Sequence, residues 1–415
     1  MTQRPVVIVG YAFPILRALP GREPDGSVVV VEEPDVVRKR DIRGRLAGNP
    51  VIRDLIEWAH TRPGTADEFY NRHRDLNPIA VIPLVEYATP FAARLAERYG
   101  LPGATLGAAQ IMRDKAVLRG VTAAAGVPNP ESVSVAGPED VLAFMRSLGD
   151  GPIVLKPANR QAAVGTQIIH DPADIEQAWT SCVQQDEGIF VADHPVELRM
   201  LAERYVHGAE YSVEMLVRDG RSLFFNVTGK QLYPGPRPVE LAHAVPAEIS
   251  DELTSVLGER TRQVVTAVGF ANGIVHCEWI VSDGVPYLVE CAGRIAGDGI
   301  MEIIDRAYDV DTIGTYFALL KGEAVGDLPR RAARGAAVRF VPTEPGVIEA
   351  VRGVAEARES DGVFLVDIPM GPGHRFAALR SSWDRSGLVM TIADTAAEAL
   401  RRAEKATDLI HIDVR

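Results

Sequence analysis

The chain has 415 residues, 47% of them apolar and 24% charged, with a formal net charge of −12. That length exceeds what one hydrophobic core serves, so two to four subdomains of about 100–150 residues are expected, and the composition excludes disordered and fibrous classes. The acidic balance excludes a nucleic-acid surface, which needs clustered Lys and Arg, but not a nucleotide, whose phosphates need only a few local donors.

Three cysteines, Cys182, Cys277 and Cys291, cannot all pair with one another and lack metal-ligand spacing. They point to a reducing compartment, the cytoplasm. The apolar run Val6 to Leu16 behind Arg4 is short for a signal-peptide core and precedes no small-residue cleavage site. No stretch of about 20 apolar residues occurs, so no membrane span is expected.

From the amino terminus, PVVIVG (5–10), VVVVE (28–32) and IAVIPL (79–84) are β-branched runs that fit buried parallel strands. With helical stretches between them they imply an open α/β domain over residues 1–112. Gly10 is not followed by a G-x-G-x-x-G fingerprint, so the strand ends are expected to offer a substrate crevice rather than a dinucleotide site. A helix is predicted over 111–127, stopping at Gly126 before Pro128. Residues 153–170 read as strand, polar loop, strand; 196–217 as two strands around His207-Gly208; 273–290 as a hairpin. A helix is expected near Gly299, a linker around Arg330, Arg331 and Arg334, and a small α/β unit over the last 80 or so residues, ending in the helix 395–407 and the strand LIHIDV.

The hairpin holds the most informative pair, Glu278 in VHCEWIV and Glu290 in YLVECAG. Two carboxylates on adjacent strands can hold one divalent ion, provided both face the same side. Because side chains alternate, the paired residue numbers must then sum to an even value, which a regular ladder achieves only with an odd-length loop. The expected register is a three-residue loop, Ser282-Asp283-Gly284, pairing Val281 with Val285 and placing Glu290 opposite His276. Glu278 and Glu290 would be diagonal neighbours about 7–8 Å apart. Lys156 closes the strand GPIVLKP ahead of the loop 158–165, where an ammonium and loop amides can converge on phosphate oxygens. Lys115 is a second candidate phosphate ligand. Taken singly, each lysine reads first as a solvated surface charge, and it is their order in the chain that points to phosphate.

In order, MRDK, VLKP, NRQAAVG, AERYVHGAEYSVE, VHCEWI and VECAGRIAGDG make the chain resemble the ATP-grasp superfamily, and within it the carboxylate–amine ligases that include the L-amino acid ligases. The resemblance runs from about residue 79 to the end. It implies an α/β ATP-grasp fold in three parts: an amino-terminal domain (1–112), an ATP-grasp domain (113–325) with a mobile lid (119–200), and a closing domain (326–415). It implies that Lys115 and Lys156 hold the α and β phosphates of ATP, aided by the loop residues Gln161, Ala163 and Gly165. Glu203, Arg204, Tyr205 and Val206 would form the strand that reads adenine, and Glu210 would take the ribose. Glu278 and Glu290 match Mg²⁺ ligands, with Mn²⁺ as a substitute. Arg294 matches the arginine that steadies charge on an acyl phosphate.

Glu240 and His243, in NVTGKQLYPGPRPVELAHAVPA, and Gly297, in RIAGDG, fall where substrate residues lie. His243 reads equally as a surface histidine. His276 shares the face of Glu278 by alternation, either touching the acyl phosphate and accepting the amine's proton or serving as a hydrogen-bonded interior histidine. Trp383 and Arg385 read as structural. Two departures stand out: Ala292 replaces an Asn that usually serves the second metal, and Ala162-Ala163 replaces a common Gly-Ser in the phosphate loop. The expected activity joins a small carboxylate, such as an amino acid, to an amine through an acyl phosphate, with no nucleic-acid or membrane partner. A homodimer is one expected assembly. Bicarbonate activation and ATP binding without turnover are the alternatives.

Overall fold

The computed structural model describes residues 4–194 and 196–415. Strands β1 (Val6–Val9), β2 (Val28–Glu32), β3 (Ile52–Glu57) and β4 (Ala80–Pro83) form a parallel sheet in the order β3-β2-β1-β4. The apolar runs β1 and β2 are buried along their whole length, as a sheet covered on both faces requires. The sequence reading missed β3: IRDLIE is an edge strand with charged, exposed positions, which blunts the edge and hides the strand pattern. The order reverses between β1 and β4, where open α/β sheets leave a crevice at the strand ends. Gly10 sits there at φ +90°, and a Cβ on it would lie 2.3 Å from Val85 Cγ2. Only glycine lets the loops after β1 and β4 approach so closely.

The helix expected over 111–127 is two helices, Leu106–Met112 and Lys115–Ala124. Asp114 is the cause: its Oδ1 accepts the amides of Ala116 and Val117, capping a new helix start. Lys115 is therefore the first residue of its helix.

Next come β5 (Ser132–Val135), β6 (Ile153–Pro157), β7 (Gln167–Ile169) and β8 (Met200–Arg204), an antiparallel sheet in the order β5-β8-β6-β7. Helices Pro138–Ser147 and Ile175–Gln184 cover it, burying Val141, Met145, Ala178 and Cys182 against Leu155 and Ala202. The strand–loop–strand expected over 153–170 is present. The two strands expected around His207-Gly208 also exist, but in different sheets. Residues 205–208 link the small sheet to β9 (Ala209–Arg218), the first strand of the large one.

The large sheet continues through β10 (Arg221–Leu232), β11 (Glu240–Val245), β12 (Gly273–Ser282) and β13 (Val285–Ala292). Six strands follow: β14 (Gly335–Phe340), β15 (Gly346–Arg352), β16 (Val363–Asp367), β17 (Arg375–Phe376), β18 (Leu388–Ala393) and β19 (His411–Val414). Three of them extend the large sheet to the order β13-β12-β9-β10-β11-β14-β18-β16, and the others form a small sheet, β17-β15-β19. The carboxyl-terminal region is thus hydrogen-bonded into the large sheet through β11 and β14. Helices Ile300–Tyr308 and Ala396–Asp408 lie where expected.

The hairpin register differs from expectation in an informative way. The loop is the two-residue Asp283-Gly284, both at positive φ (50° and 78°), pairing Ser282 with Val285. This is the mirror-image turn that Asp-Gly favours, because its twist matches that of the strands. Alone, it would set Glu278 and Glu290 on opposite faces. A β-bulge restores the phase: Trp279 pairs with Leu288 and Glu278 with Glu290, so Val289 is the extra residue. Arg119 Nη2 donates to the carbonyl of bulged Val289 at 2.7 Å. Glu290 therefore stands directly opposite Glu278, not opposite His276.

Alternation now sorts the strands cleanly. One face of β9, β12 and β13 carries Val213, Met215, Val275, Cys277, Trp279, Leu288 and Cys291, packed on Leu257, Val264, Val265 and Val268 of the helix Asp251–Val268. Trp279 is fully buried, and its indole N–H donates to Thr261 Oγ1 at 3.1 Å. The other face carries Ser212, Glu214, His276, Glu278 and Glu290.

Candidate functional site

That polar face floors a cavity of about 1130 Å³ bounded by the amino-terminal sheet, the small antiparallel sheet and the carboxyl-terminal region. Every residue singled out from sequence lines it except Gly165. Gly165 has a packing role instead. Its amide donates to Gln185 Oε1 at 3.1 Å, and a Cβ would meet the Cys182 carbonyl at 2.7 Å.

On the floor, Glu278 and Glu290 are each tied to a cation. Glu290 Oε2 lies 2.8 Å from Lys115 Nζ, which also donates to the Arg160 carbonyl at 2.8 Å. Glu278 pairs with Lys230, a buried lysine that also lies 3.4 Å from Glu240. Burial opposes the Glu278 charge, but Lys230 and His276 outweigh it and hold the carboxyl well below its usual range. His276 lies between two carboxylates, Nδ1 2.9 Å from Glu214 and Nε2 3.2 Å from Glu278. Burial works against its proton, yet the hydrogen bonds to both carboxylates win and push the imidazole up to about 9. Glu214 is itself held by Ser212 and Thr228 hydroxyls, each donating at 2.6 Å. Both ring nitrogens of His276 are thus engaged by carboxylates.

Toward the small sheet, Lys156 Nζ lies 2.7 Å from Glu203 Oε2, and Arg119 Nε donates to Glu203 Oε1 at 2.8 Å. Burial raises the Glu203 carboxyl, but these two cations dominate and keep it ionised. Both Glu203 oxygens are thus engaged, which makes this carboxylate the anchor of Lys156. Arg204 and Tyr205 donate their amides to the carbonyls of Glu131 and Pro152. Glu210 is pushed up to about 7, first by burial and then by Glu278 and Glu240, with Lys230 opposing. In the loop after Lys156, Ala162 and Ala163 adopt φ of 56° and 57°, the conformation natural to glycine. Val164 and Thr166 spend their amides inside the loop on Gln161 and Ala163.

Toward the amino-terminal sheet, Arg294 Nη2 donates to Glu86 Oε2 at 3.0 Å, while Arg113 Nη1 donates to Glu86 Oε1 at 2.7 Å. Burial would raise Glu86, but Arg113, Arg294 and Lys115 bring it down to about 2. Toward the carboxyl-terminal region, Asp298 accepts two bonds from Arg385, at 2.9 and 2.5 Å, and one from His243 Nε2 at 3.0 Å. Ser382 Oγ donates to Glu240 at 2.8 Å. Arg385, read from sequence as structural, therefore lies in the cavity wall against two substrate candidates. Lys230, Glu86, Arg113, Glu214 and Asp298 were not singled out from sequence. Their partners are distant in the chain, up to 208 residues for Arg294 and Glu86, and although Arg113, Glu214, Lys230 and Asp298 fall inside the quoted motifs MRDK, AERYVHGAEYSVE, NVTGKQLYPGPRPVELAHAVPA and RIAGDG, Glu86 falls in none.

A strap from the small-sheet region roofs the cavity. Phe190 stacks on Trp383 with centroids 4.4 Å apart, and Arg40 lies between the rings of Phe190 and Tyr11, at 5.0 and 4.6 Å. Lys39 Nζ lies 2.5 Å from Asp193 and donates to the Val191 carbonyl at 3.0 Å. Among the described residues, no helix is long and apolar enough to cross a membrane.

Two family models match the chain: an ATP-grasp domain over residues 150–302 and an L-amino acid ligase C-terminal domain 2 over residues 339–415. It is 26% identical to the alanine–anticapsin ligase of Bacillus subtilis (strain 168) over 251 residues, 57% of this chain and 52% of that one. It is 24% identical to the L-arginine-specific L-amino acid ligase of Bacillus subtilis, over 51% of this chain and 50% of that one. The chain thus spans about half the length of these curated relatives. In structure, the L-amino acid ligase of Bacillus licheniformis matches with a TM-score of 0.80 and 19% identity, covering 100% of this chain and 99% of that one. The biotin carboxylase domain of the Hydrogenobacter thermophilus 2-oxoglutarate carboxylase, in complex with MgADP, ADP and bicarbonate, matches with a TM-score of 0.70 at 16% identity, covering 100% and 92%.

Proposed function

The chain has the ATP-grasp fold and ends in an L-amino acid ligase carboxyl-terminal domain, and on that premise we propose that it is an ATP- and Mg²⁺-dependent carboxylate–amine ligase joining amino-acid-like substrates. The observation that carries the reading is the direct pairing of Glu278 with Glu290 on the polar face, with Lys115, Lys156 and Arg294 lining the same cavity.

A carboxylate is a poor acyl donor, because its leaving group would be oxide. Transfer of the γ-phosphoryl of ATP to the carboxylate makes an acyl phosphate and releases ADP. Attack by the amine then forms the amide, releasing phosphate and a proton. In this reading Lys115 and Lys156 bind nucleotide phosphates, Lys156 aimed by Glu203 and Arg119. Arg294, steadied by Glu86, neutralises charge on the acyl phosphate. Arg204, Tyr205, Val206 and Glu210 border the nucleoside, and the lid, residues 119–200, excludes water that would hydrolyse the intermediate.

The acid pair fits magnesium. Two carboxylates share a face, and among the described residues no cluster of three or more Asp, Glu, His or Cys side chains is arranged to hold a metal alone. That is the donor set of an ion completed by phosphate oxygens and water. Held by Glu278 and Glu290, the ion would supply positive charge against the nucleotide phosphates.

The test incubates the protein with ATP, MgCl₂ and pairs drawn from the twenty amino acids, following ADP, phosphate and the mass of new amides. An adduct with stoichiometric ADP supports the reading. Phosphate release without adduct across the panel overturns it, and phosphate release that needs bicarbonate but no amine assigns the chemistry to bicarbonate activation.

A further inference from the structure

The cavity is larger than the roughly 300–1,000 Å³ that serves a single small ligand, and one end of it has no task in the chemistry above. This end lies at the carboxyl ends of β1, β2 and β3, beside the crevice where the sheet order reverses. Glu32 and Glu33 close β2 there. Both are buried and both line the cavity, as do His60, Thr61 and His194.

The hydrogen bonds fix the polarity of this wall. Glu32 Oε1 accepts the Glu33 amide at 2.8 Å and lies 2.9 Å from His60 Nε2. A carboxylate only accepts, so His60 Nε2 carries the proton shared with Glu32. His60 is only 4% exposed, and its Nδ1 is buried with no hydrogen-bond partner. Glu33 Oε1 accepts the Thr61 amide at 2.8 Å and the Thr61 hydroxyl at 2.6 Å, while His194 Nε2 lies 2.5 Å from that hydroxyl oxygen. Since Thr61 gives its proton to Glu33, His194 donates to Thr61.

The nearest fixed cation, Arg40, donates from Nη1 to the Tyr11 carbonyl at 3.2 Å and is sandwiched between Tyr11 and Phe190, and Glu32 is the nearby charge that favours it most. Arg17 and Arg45 also border the cavity, but both are exposed and pack on Phe13. The interior wall thus presents two buried carboxylates and an unpartnered ring nitrogen.

We infer that this end of the cavity is a subsite for a cationic nitrogen group, an ammonium or guanidinium, at the far end of a substrate whose reacting group lies near Glu278, Glu290 and Arg294. Such a group supplies N–H donors and a positive charge to Glu32 and Glu33. The inference rests on the ligase reading for what the substrate is used for, but not for the binding itself.

The test uses the full chain and pairs of isosteric ligands that differ only in the distal group: L-lysine against L-norleucine, and L-arginine against L-citrulline. Affinity is measured by calorimetry without turnover, and kcat/KM is measured for each as a partner of L-alanine with ATP and MgCl₂. The expected result is a preference of about tenfold or more for each cationic ligand, the range of one buried charge-assisted hydrogen bond, erased in Glu33→Gln. Equal binding of the isosteres, or a preference that persists in a folded Glu33→Gln protein, overturns the inference. Where Glu33→Gln does not fold, the isostere comparison on the unaltered chain decides alone. Selective binding with no amide formed supports the subsite while the ligase reading fails. Amide formation without charge preference does the reverse.

Discussion

The two faces of β9, β12 and β13 are built from alternate residues of the same segments, yet they are held by opposite physics. Behind, Trp279, Cys277, Leu288 and Cys291 pack against the helix Asp251–Val268, where stability follows apolar area and shape. In front, Glu278, Glu290, His276 and Glu214 are held by Lys230, Lys115 and one another. Buried charges contribute little net stability against apolar replacements; they fix geometry. The apolar face should therefore answer for folding, and the polar face for chemistry.

The sharpest way to break this contrast is on the polar side. Glu278→Gln and Glu290→Gln are each expected to lower ATP-dependent phosphate release by about a thousandfold in a protein that still folds. A variant that stays active, or one that unfolds, removes the distinction. From the apolar side, Trp279→Ala should cost about 3–5 kcal/mol in denaturant unfolding, leaving Thr261 without its indole donor. Loss of activity without loss of stability there contradicts the division.

Glu86 lies between the two regimes, because it is buried and serves Arg294. Its folded carboxyl titrates near 2, below the ordinary 4.5. A depressed carboxyl contributes stability above its ordinary value and loses it as pH falls through the folded value. Glu86→Gln should therefore cost up to roughly 3 kcal/mol near pH 7. The gap from the unaltered chain should narrow between pH 4.5 and 2, as read by urea unfolding at several pH values. The smallest effect belongs to the phosphate loop. Ala163→Gly relieves a left-handed alanine and should stabilise by about 1 kcal/mol or less, the steric gain being offset by unfolded-state entropy. A fall in melting temperature would mean that Ala163 makes a contact worth more than its strain.

Much of this contrast was legible in the sequence, because period-two alternation is local. VHCEWIV separates His276 and Glu278 from Cys277 and Trp279 without any tertiary information, and the order of the lysines and glutamates carried the fold. What stayed hidden is non-local or unsigned. Val289 has no side-chain feature that marks a bulge, so the register through Asp283-Gly284 was read one residue long, although the two glutamates do share a face. β3 hid behind edge charges, and Asp114 split a helix that periodicity ran together. Partners such as Glu86 for Arg294 and Asp298 for Arg385 depend on segments that only folding brings together.

The roofing strap carries a kinetic consequence. Its ionic catch, Lys39 to Asp193, is partly exposed, with the Asp193 side chain 69% accessible, whereas the pairs on the floor are buried. Mobile ions screen the first and hardly touch the second. Added salt should thus quicken the opening that admits substrate and frees product while leaving the reacting groups in register, so that a turnover limited by product escape would run faster in brine than in dilute buffer.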